Sequence, residues 1–536
     1  MLSQYRQAFS KLEALLDRDF HAINAPGVAI GLTDRNNLLG IKTYGYEDLS
    51  AHTPVQADTL FEIGSISKSF TCILLLHLYE RGILDLHESI TAYLPWFEVN
   101  TDYQPYTLHH LMSHTAAIPI GTDDAMSAAC AAWNLQEISP TAPPGAFFHY
   151  SNDGYKLLGL MVQELLGGSY AEILEAKILT PLEMTSTVAK ITQAARARFA
   201  VGYEAYYDDR PLPPGGLLAP AAWIECDAAD GSIASTAADM SAYLRMLLNR
   251  GQGLLTEESF IKLINPAIPA GDDRHGEYYG YGLTIQEVAG CTAIGHGGSM
   301  VGYRSMMLAD LNDGVGVIIL TNGPAETEGL ARYALRLLRA ASQKEPLPAL
   351  PPKNDPSKVI NGSEYVGTYR AGPKSFALSV SGDQLLFDYP GEQVILQRWE
   401  KDCFYVPHPG FDRFLLRFNR EDGIVVDAFH GSEWFIREGA DRPQIRDFPL
   451  IWHAYPGHYR SHNPWLTNFR VVLRGGTLIV IYPDGDEQPL SPLGEQLFRL
   501  GEDVRSPERL RFGPVLNGKA ISANLSGGEY CRMFTF

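Results

Sequence analysis

Residues 61–82 read FEIGSISKSFTCILLLHLYERG. From Ser65 to Arg81 the apolar residues Phe70, Ile73, Leu74, Leu75 and Leu78 recur on a helical period, and Gly82 supplies a stop. The stretch therefore predicts a helix that begins at the serine, with Phe61-Glu62-Ile63 as the approach. A serine at a helix N-terminus lies beside unpaired N–H groups and the positive end of the dipole, which suits a developing oxyanion. Lys68, three residues on, returns to the same face and can reach the Ser65 hydroxyl. A lysine pressed into an apolar site loses its charge more easily and can then accept a proton. Alone, the motif reads equally as an N-cap serine followed by a solvated lysine.

Two further motifs lie outward from this stretch. His149-Tyr150-Ser151-Asn152 follows a Pro-Pro-Gly turn at 143–145. On such a loop the Tyr150 phenol can relay a proton to a leaving group and the Asn152 amide can hold a substrate carbonyl. The alternative is one more surface tyrosine among 27. Gly295-His296-Gly297-Gly298-Ser299 is flanked by strand patterns, and its glycines let a backbone come close to a ligand at a strand edge. The Ser299 N–H can then serve as an oxyanion donor beside that of Ser65; a β-bulge carrying a surface histidine is the other reading. His110 and His114 stand at i, i+4 beside His109, a spacing that can hold a metal, but no glutamate lies between them and none is expected. With no P-loop and no strand-linked G-x-G-x-x-G, no nucleotide cofactor is expected.

Bulk properties narrow the partners. A net charge of -19 over 536 residues repels phosphate backbones and anionic bilayers, so nucleic acid and membrane surface are poor partners, and a small molecule or short peptide stays open as substrate. No run of about 18 apolar residues exists to span a membrane. The N-terminal stretch MLSQYRQAFSKLEALLDRDF is charged throughout, with Leu12, Leu15 and Leu16 at helical spacing, and lacks the uncharged core of a secretory signal. The six cysteines (72, 130, 226, 291, 403 and 531) form no CxxC pair, which fits a reducing, cytoplasmic setting. A homodimer stays open.

The organisation reads as α+β. Helical runs (Ala237–Leu248, which Ser235 or Thr236 can cap, and Glu328–Ala341) mix with strand runs at Gly280–Glu287, Tyr303–Leu311 and Gly314–Thr321. Residues 343–358 then hold five prolines. The expected division is 1–345, a linker at 346–358, and two all-β units at 359–447 and 448–536. The last two form a repeat: Tyr365-Val-Gly-Thr-Tyr369-Arg370 returns as Tyr455-Pro-Gly-His-Tyr459-Arg460, and Gln384–Tyr389, Asp412–Phe418 and Gly423–Phe429 have counterparts in order at Thr477–Tyr482, Glu508–Phe512 and Gly518–Leu525. Two small antiparallel β-barrels are predicted.

The order S-x-x-K, Y-x-N, then a Gly-rich strand with a basic residue resembles the penicillin-recognising serine hydrolases: class C β-lactamases, D,D-peptidases, their esterase relatives and D-aminopeptidases. Further similarities are Thr107-Leu-His-His-Leu-Met-Ser-His114-Thr115, Pro181-Leu-Glu-Met184, Asp230-Gly-Ser-Ile-Ala-Ser235-Thr236 and Tyr281-Gly282-Leu283. The resemblance implies a β-lactamase-like catalytic domain, an antiparallel sheet with flanking helices, ahead of the barrels. It implies Ser65 as acylated nucleophile, Lys68 as its base, Tyr150 as proton shuttle, and Asn152, His296, Gly298 and Ser299 around the substrate. His296-Gly297-Gly298 stands where the family carries Lys-Thr-Gly, which weakens an anchor for a substrate carboxylate. This H-x-G form and the two barrels are similar to D-aminopeptidases, which release an N-terminal D-residue. Asp484 and Asp486, in the acidic turn Asp484-Gly485-Asp486-Glu487, are the candidates to receive a substrate ammonium, with a solvated hairpin as the alternative. An esterase of short acyl esters, a β-lactamase and a catalytically silent binding protein are the rival readings.

Overall fold

The computed structural model describes residues 3–99, 101–122, 127–138, 140–265, 268–270, 277–441 and 445–533. The chain divides into two units. One gathers the residues up to Ala205, Leu218–Leu350 and Val504–Pro507; the other gathers Tyr206–Leu217, Pro351–Asp503 and the residues from Glu508 on.

In the first unit, near-continuous apolar runs make the central strands. Gly27–Asp34 and Val315–Thr321 are buried almost end to end, as strands covered on both faces must be, and they pair antiparallel with Ile30 opposite Ile319. The sheet has nine strands in the order Thr53–Pro54, Leu38–Asp48, Gly27–Asp34, Val315–Thr321, Tyr303–Asp310, Cys291–Met300, Thr284–Val288, Tyr278–Tyr279 and Ile268–Pro269. Helices Ser3–Asp19 and Glu328–Gln343 bury Phe9, Leu12, Leu16, Leu335 and Leu338 in one cluster with Ile30 and Ile319. Helix Ala237–Leu248 approaches so near the sheet that a Cβ at Gly31 would lie 2.6 Å from the Ala237 carbonyl. Its cap is Thr236, whose side chain accepts the Asp239 N–H at 3.2 Å. No helix among the described residues is long and apolar enough to cross a membrane.

Two local readings change. The helix expected from Ser65 opens as a 3₁₀ turn, Gly64–Ile66, before the α-helix Ser67–Glu80. The strand expected over Gly280–Glu287 begins only at Thr284, because Gly282 adopts φ +66°, which an extended strand cannot hold. Gly282 bends the chain against the nucleophile helix, where a Cβ would lie 2.7 Å from the Lys68 carbonyl.

The second unit is β throughout, in two barrel-like sheets. The first runs over nine strands between Gly367 and Arg437, around Tyr369, Phe376, Phe387 and Phe435. The second is a closed barrel of eight strands between Gly457 and Met533, around Tyr459, Phe469, Phe498 and Phe512. The repeat has a physical counterpart. After a 3₁₀ turn in each sheet, the Tyr369 hydroxyl donates to the Tyr365 carbonyl at 2.8 Å and the Tyr459 hydroxyl to the Tyr455 carbonyl at 2.7 Å. The same tyrosine thus pins the same corner twice.

Candidate active site

From Phe61 to Phe70 every residue is buried except Ser65, which is half-open to solvent. Ser65 sits in the 3₁₀ turn because Gly64 takes φ +52°, turning the chain sharply out of the short strand Phe61–Glu62. One turn on, the fully buried Lys68 places Nζ 3.1 Å from Ser65 Oγ and donates to the Asp230 carbonyl at 2.9 Å. No carboxylate pairs with Lys68 among the described residues. Ser69 and Phe70 lock the helix from behind: the Ser69 hydroxyl bonds Tyr243 OH at 2.7 Å, and the Phe70 and Tyr243 rings stack 3.8 Å apart. Burial without a charge partner pushes the neighbouring Glu62 carboxyl up to about 8.

The second motif meets the first. Lys68 Nζ lies 4.9 Å above the centre of the Tyr150 ring and 5.5 Å above that of Tyr155. Tyr150 and Ser151 lead into helix Asn152–Leu166, with Ser151 as N-cap accepting the Gly154 N–H at 3.1 Å. The Asn152 N–H donates to the Ile120 carbonyl at 2.8 Å, and its side chain is half-buried. The Tyr155 hydroxyl donates to the Met112 carbonyl at 2.7 Å, tying this helix to the segment that carries His114.

The third motif lies in strand Cys291–Met300, and its glycines work differently from the expectation. A Cβ on Gly298 would fall 1.9 Å from the Ile63 carbonyl oxygen, whereas Gly297 has no neighbour nearer than 3.7 Å. The close approach is between the strand and the nucleophile segment. Gly64 makes the reciprocal contact, a Cβ there falling 2.7 Å from the Ser299 nitrogen. The exposed Ser299 is thereby drawn beside the nucleophile turn.

His296 is buried, and both ring nitrogens are engaged. Nδ1–H donates to the Gly297 carbonyl at 2.5 Å, and Nε2 accepts from the Tyr279 hydroxyl at 2.9 Å. Burial, with a smaller contribution from the Lys68 charge, brings the imidazole down to about 4, so it is neutral near pH 7. The strand offers no cation at this position.

Ser65, Lys68, Tyr150, Asn152, His296, Gly298 and Ser299 all belong to the first unit; Asp484 and Asp486 belong to the second. There the Asp484 carboxylate accepts the Asp486 N–H at 3.0 Å, and Arg417 donates to the Gly485 carbonyl at 2.7 Å. The three histidines of 109–114 each make hydrogen bonds within the fold: His109 bonds Tyr281 OH at 2.8 Å, His110 closes a capping box with Thr107, and His114 Nδ1 accepts the Ser151 N–H at 3.0 Å. Cys291, Asp310 and Asp313 bring ligand atoms within 4.8 Å of one another, but the Arg339 guanidinium contacts all three. The six cysteines are free. Sequence reasoning missed Tyr279, whose neighbour Tyr281 drew attention instead. It also missed the Asp230 carbonyl, which no side-chain pattern can signal.

Residues 12–341 match the family described as Beta-lactamase. "Penicillin-binding protein 4*" of Bacillus subtilis (strain 168) is 26% identical over 363 residues, 61% of this chain and 75% of that protein. Among solved structures, the octameric penicillin-binding protein homologue from Pyrococcus abyssi superposes with a TM-score of 0.58 at 25% identity, over 80% of this chain and 100% of that one. The D-amino acid amidase from Ochrobactrum anthropi SV3, complexed with L-phenylalanine amide, does so with a TM-score of 0.53 at 23% identity, over 63% of this chain and 99% of that one.

Proposed function

The chain belongs to the beta-lactamase family of serine hydrolases, and on that premise we propose that it releases N-terminal D-amino acids from short peptides or amides through an acyl-enzyme on Ser65. The observation that carries the reading is the buried Lys68 amine 3.1 Å from the half-open Ser65 hydroxyl. As a free amine, Lys68 takes the hydroxyl proton while Ser65 Oγ attacks the amide carbonyl. The N–H groups of Ser65 and Ser299 receive the developing oxyanion. Collapse of the tetrahedral intermediate expels the amine, which takes its proton through Tyr150, and water then releases the acid from the ester by the same groups. Asn152 holds the substrate carbonyl.

The neutral His296 narrows the substrate. A penicillin or a peptide C-terminus brings a carboxylate, and an imidazole with both nitrogens already bonded gives it neither charge nor a free donor. An amide whose recognised end is an amine loses nothing there. The amidase that shares the fold is named for D-amino acids, and the molecule bound in its structure, L-phenylalanine amide, is an amide with a free amine.

The test compares turnover of D-Ala-p-nitroanilide, its L-isomer, p-nitrophenyl butyrate and nitrocefin by the wild type and Ser65→Ala. The reading expects the D-anilide to lead and Ser65→Ala to abolish it. Preference for the butyrate makes the protein an esterase. Undiminished turnover by Ser65→Ala removes the acyl-enzyme altogether.

A further inference from the structure

His114 stands where the backbone is left-handed, at φ +56°, with 1% of its surface exposed. Its ring centre lies 4.2 Å from that of Tyr150, 4.9 Å from Tyr279, 5.0 Å from Tyr155 and 5.7 Å from Phe148. Nδ1 accepts the N–H of Ser151, the residue between Tyr150 and Asn152. Accepting that bond puts the ring proton on Nε2, which is buried with no hydrogen-bond partner among the described residues. Burial, reinforced by Lys68, holds the ring well below the usual histidine range, so it stays neutral.

Stability alone does not favour an imidazole in this place. The buried, unpaired Nε2–H is a cost to the fold, and an asparagine would suit the positive φ and accept the same N–H without a buried ring donor. What only a flat ring supplies is a plate against Tyr150, tilted 33° to it with centroids 4.2 Å apart, and Tyr150 is also the ring that Lys68 Nζ approaches to 4.9 Å.

We propose that His114 is a positioning residue for Tyr150: its ring holds the phenol in the attitude for proton transfer, while its Nδ1 fixes the Ser151 corner. The inference rests on the reading of Tyr150 as the donor to the leaving amine. A fluorophosphonate separates the two: when Ser65 Oγ attacks its phosphorus, fluoride departs without needing a proton, whereas an amine leaves carbon only once it is protonated.

The experiment measures Ser65 phosphonylation rates and amide kcat and KM for wild type, His114→Asn, His114→Phe and Tyr150→Phe, with melting temperature as the check on folding. His114→Asn keeps the Ser151 acceptor and the backbone preference but removes the ring. Its kcat is expected to fall about 10- to 100-fold, with KM and the phosphonylation rate within about twofold of wild type. His114→Phe, which restores a ring, is expected to recover most of that loss even if it melts earlier. A His114→Asn enzyme with wild-type kcat overturns the proposal, as does equal loss of phosphonylation and amide turnover, the mark of a merely structural residue. If Tyr150→Phe keeps amide turnover, the donor reading falls and this inference with it. If Tyr150→Phe is dead and His114→Asn is not, His114 alone is refuted. Should His114→Phe not fold, the comparison of His114→Asn with wild type decides.

Discussion

Gly297 and Gly298 are adjacent in strand Cys291–Met300, and neither has a positive φ, so alanine is conformationally allowed at both. Space alone separates them. At Gly297 an added Cβ would meet Met306 Sδ at 3.7 Å and the Ser305 carbonyl oxygen at 3.8 Å, ordinary contact. At Gly298 it would meet the Ile63 carbonyl oxygen at 1.9 Å and Ser305 Oγ at 2.3 Å. A carbon against a carbonyl oxygen needs about 3.3 Å, so strand and nucleophile segment must part by about 1.4 Å. The carbonyl cannot swing aside freely: it accepts the Ser305 hydroxyl at 2.9 Å and the Ile66 N–H at 3.3 Å, and the Ile63 N–H is bound to the Ile233 carbonyl at 3.0 Å. Ile63 lies two residues before Ser65, so the shift passes to the nucleophile. Misplacement by about 1 Å costs about 100-fold in rate, and overpacking of this kind costs about 1–3 kcal/mol of stability. Gly298→Ala is expected to lower kcat/KM and the rate of fluorophosphonate labelling about 100-fold, with Gly297→Ala within about threefold of wild type. Equal effects of the two substitutions, or a fully active Gly298→Ala, would refute the claim that this contact sets the site.

The remaining expectations concern the base, two titrating groups and the repeat. Lys68→Met fills the same buried space without an amine, and turnover should fall about 10²- to 10⁴-fold while the circular dichroism spectrum is kept; turnover near wild type would remove Lys68 as base. Glu62 titrates at about 8 in the fold, well above its unfolded value, so the folded state binds the extra proton and stability falls as pH rises between roughly 4.5 and 8. Glu62→Gln should therefore gain on wild type in urea midpoint across that window and hold a constant lead above it. His296 and His430 both titrate at about 4, below the unfolded value, so the unfolded state binds more protons and stability falls as pH drops from about 6.5 towards 4. Replacing His430 with Gln should flatten that slope in a urea series, and an unchanged slope counts against it. Tyr369→Phe and Tyr459→Phe each remove one matched corner bond and should cost about 1 kcal/mol apiece, additively in the double variant, because the two cores are separate.

Much of this was legible in the residues, and what was not has a common cause. The helix after Ser65, the helix Ala237–Leu248, the strands Tyr303–Asp310 and Val315–Thr321 of the first unit's sheet and the Tyr-x-Gly-x-Tyr repeat all announce themselves through periodicity, apolar runs or spacing, because burial leaves a pattern. Ser65 and Lys68 were visible for the same reason, a helical i, i+3 step. The bend at Gly282 was not, since a glycine within an apolar run is silent about the sign of φ until its neighbours are known. Nor was the lock on His296: Tyr279 belongs to a strand beyond the intervening Thr284–Val288, a pairing set by sheet register rather than by spacing along the chain.

That difference bears on how the site is built. The parts a motif search can see are side chains, yet their placement is imposed by backbone atoms. Lys68 is held by the Asp230 carbonyl, the nucleophile turn is pressed against the Ser299 backbone at Gly64, and strand Cys291–Met300 is seated on the Ile63 carbonyl at Gly298. Each such contact is marked in the sequence only by the lack of a side chain, or by nothing. Glycine at 64 and 298 is therefore required by proximity of main chain to main chain, while Gly297 is not. A hydroxylated or larger residue has room at 297 without pressing on the Ile63–Ser65 segment. On the proposed reading, substitutions at 297 should alter substrate preference while the Ser65 turn, fixed from 64 and 298, stays in place.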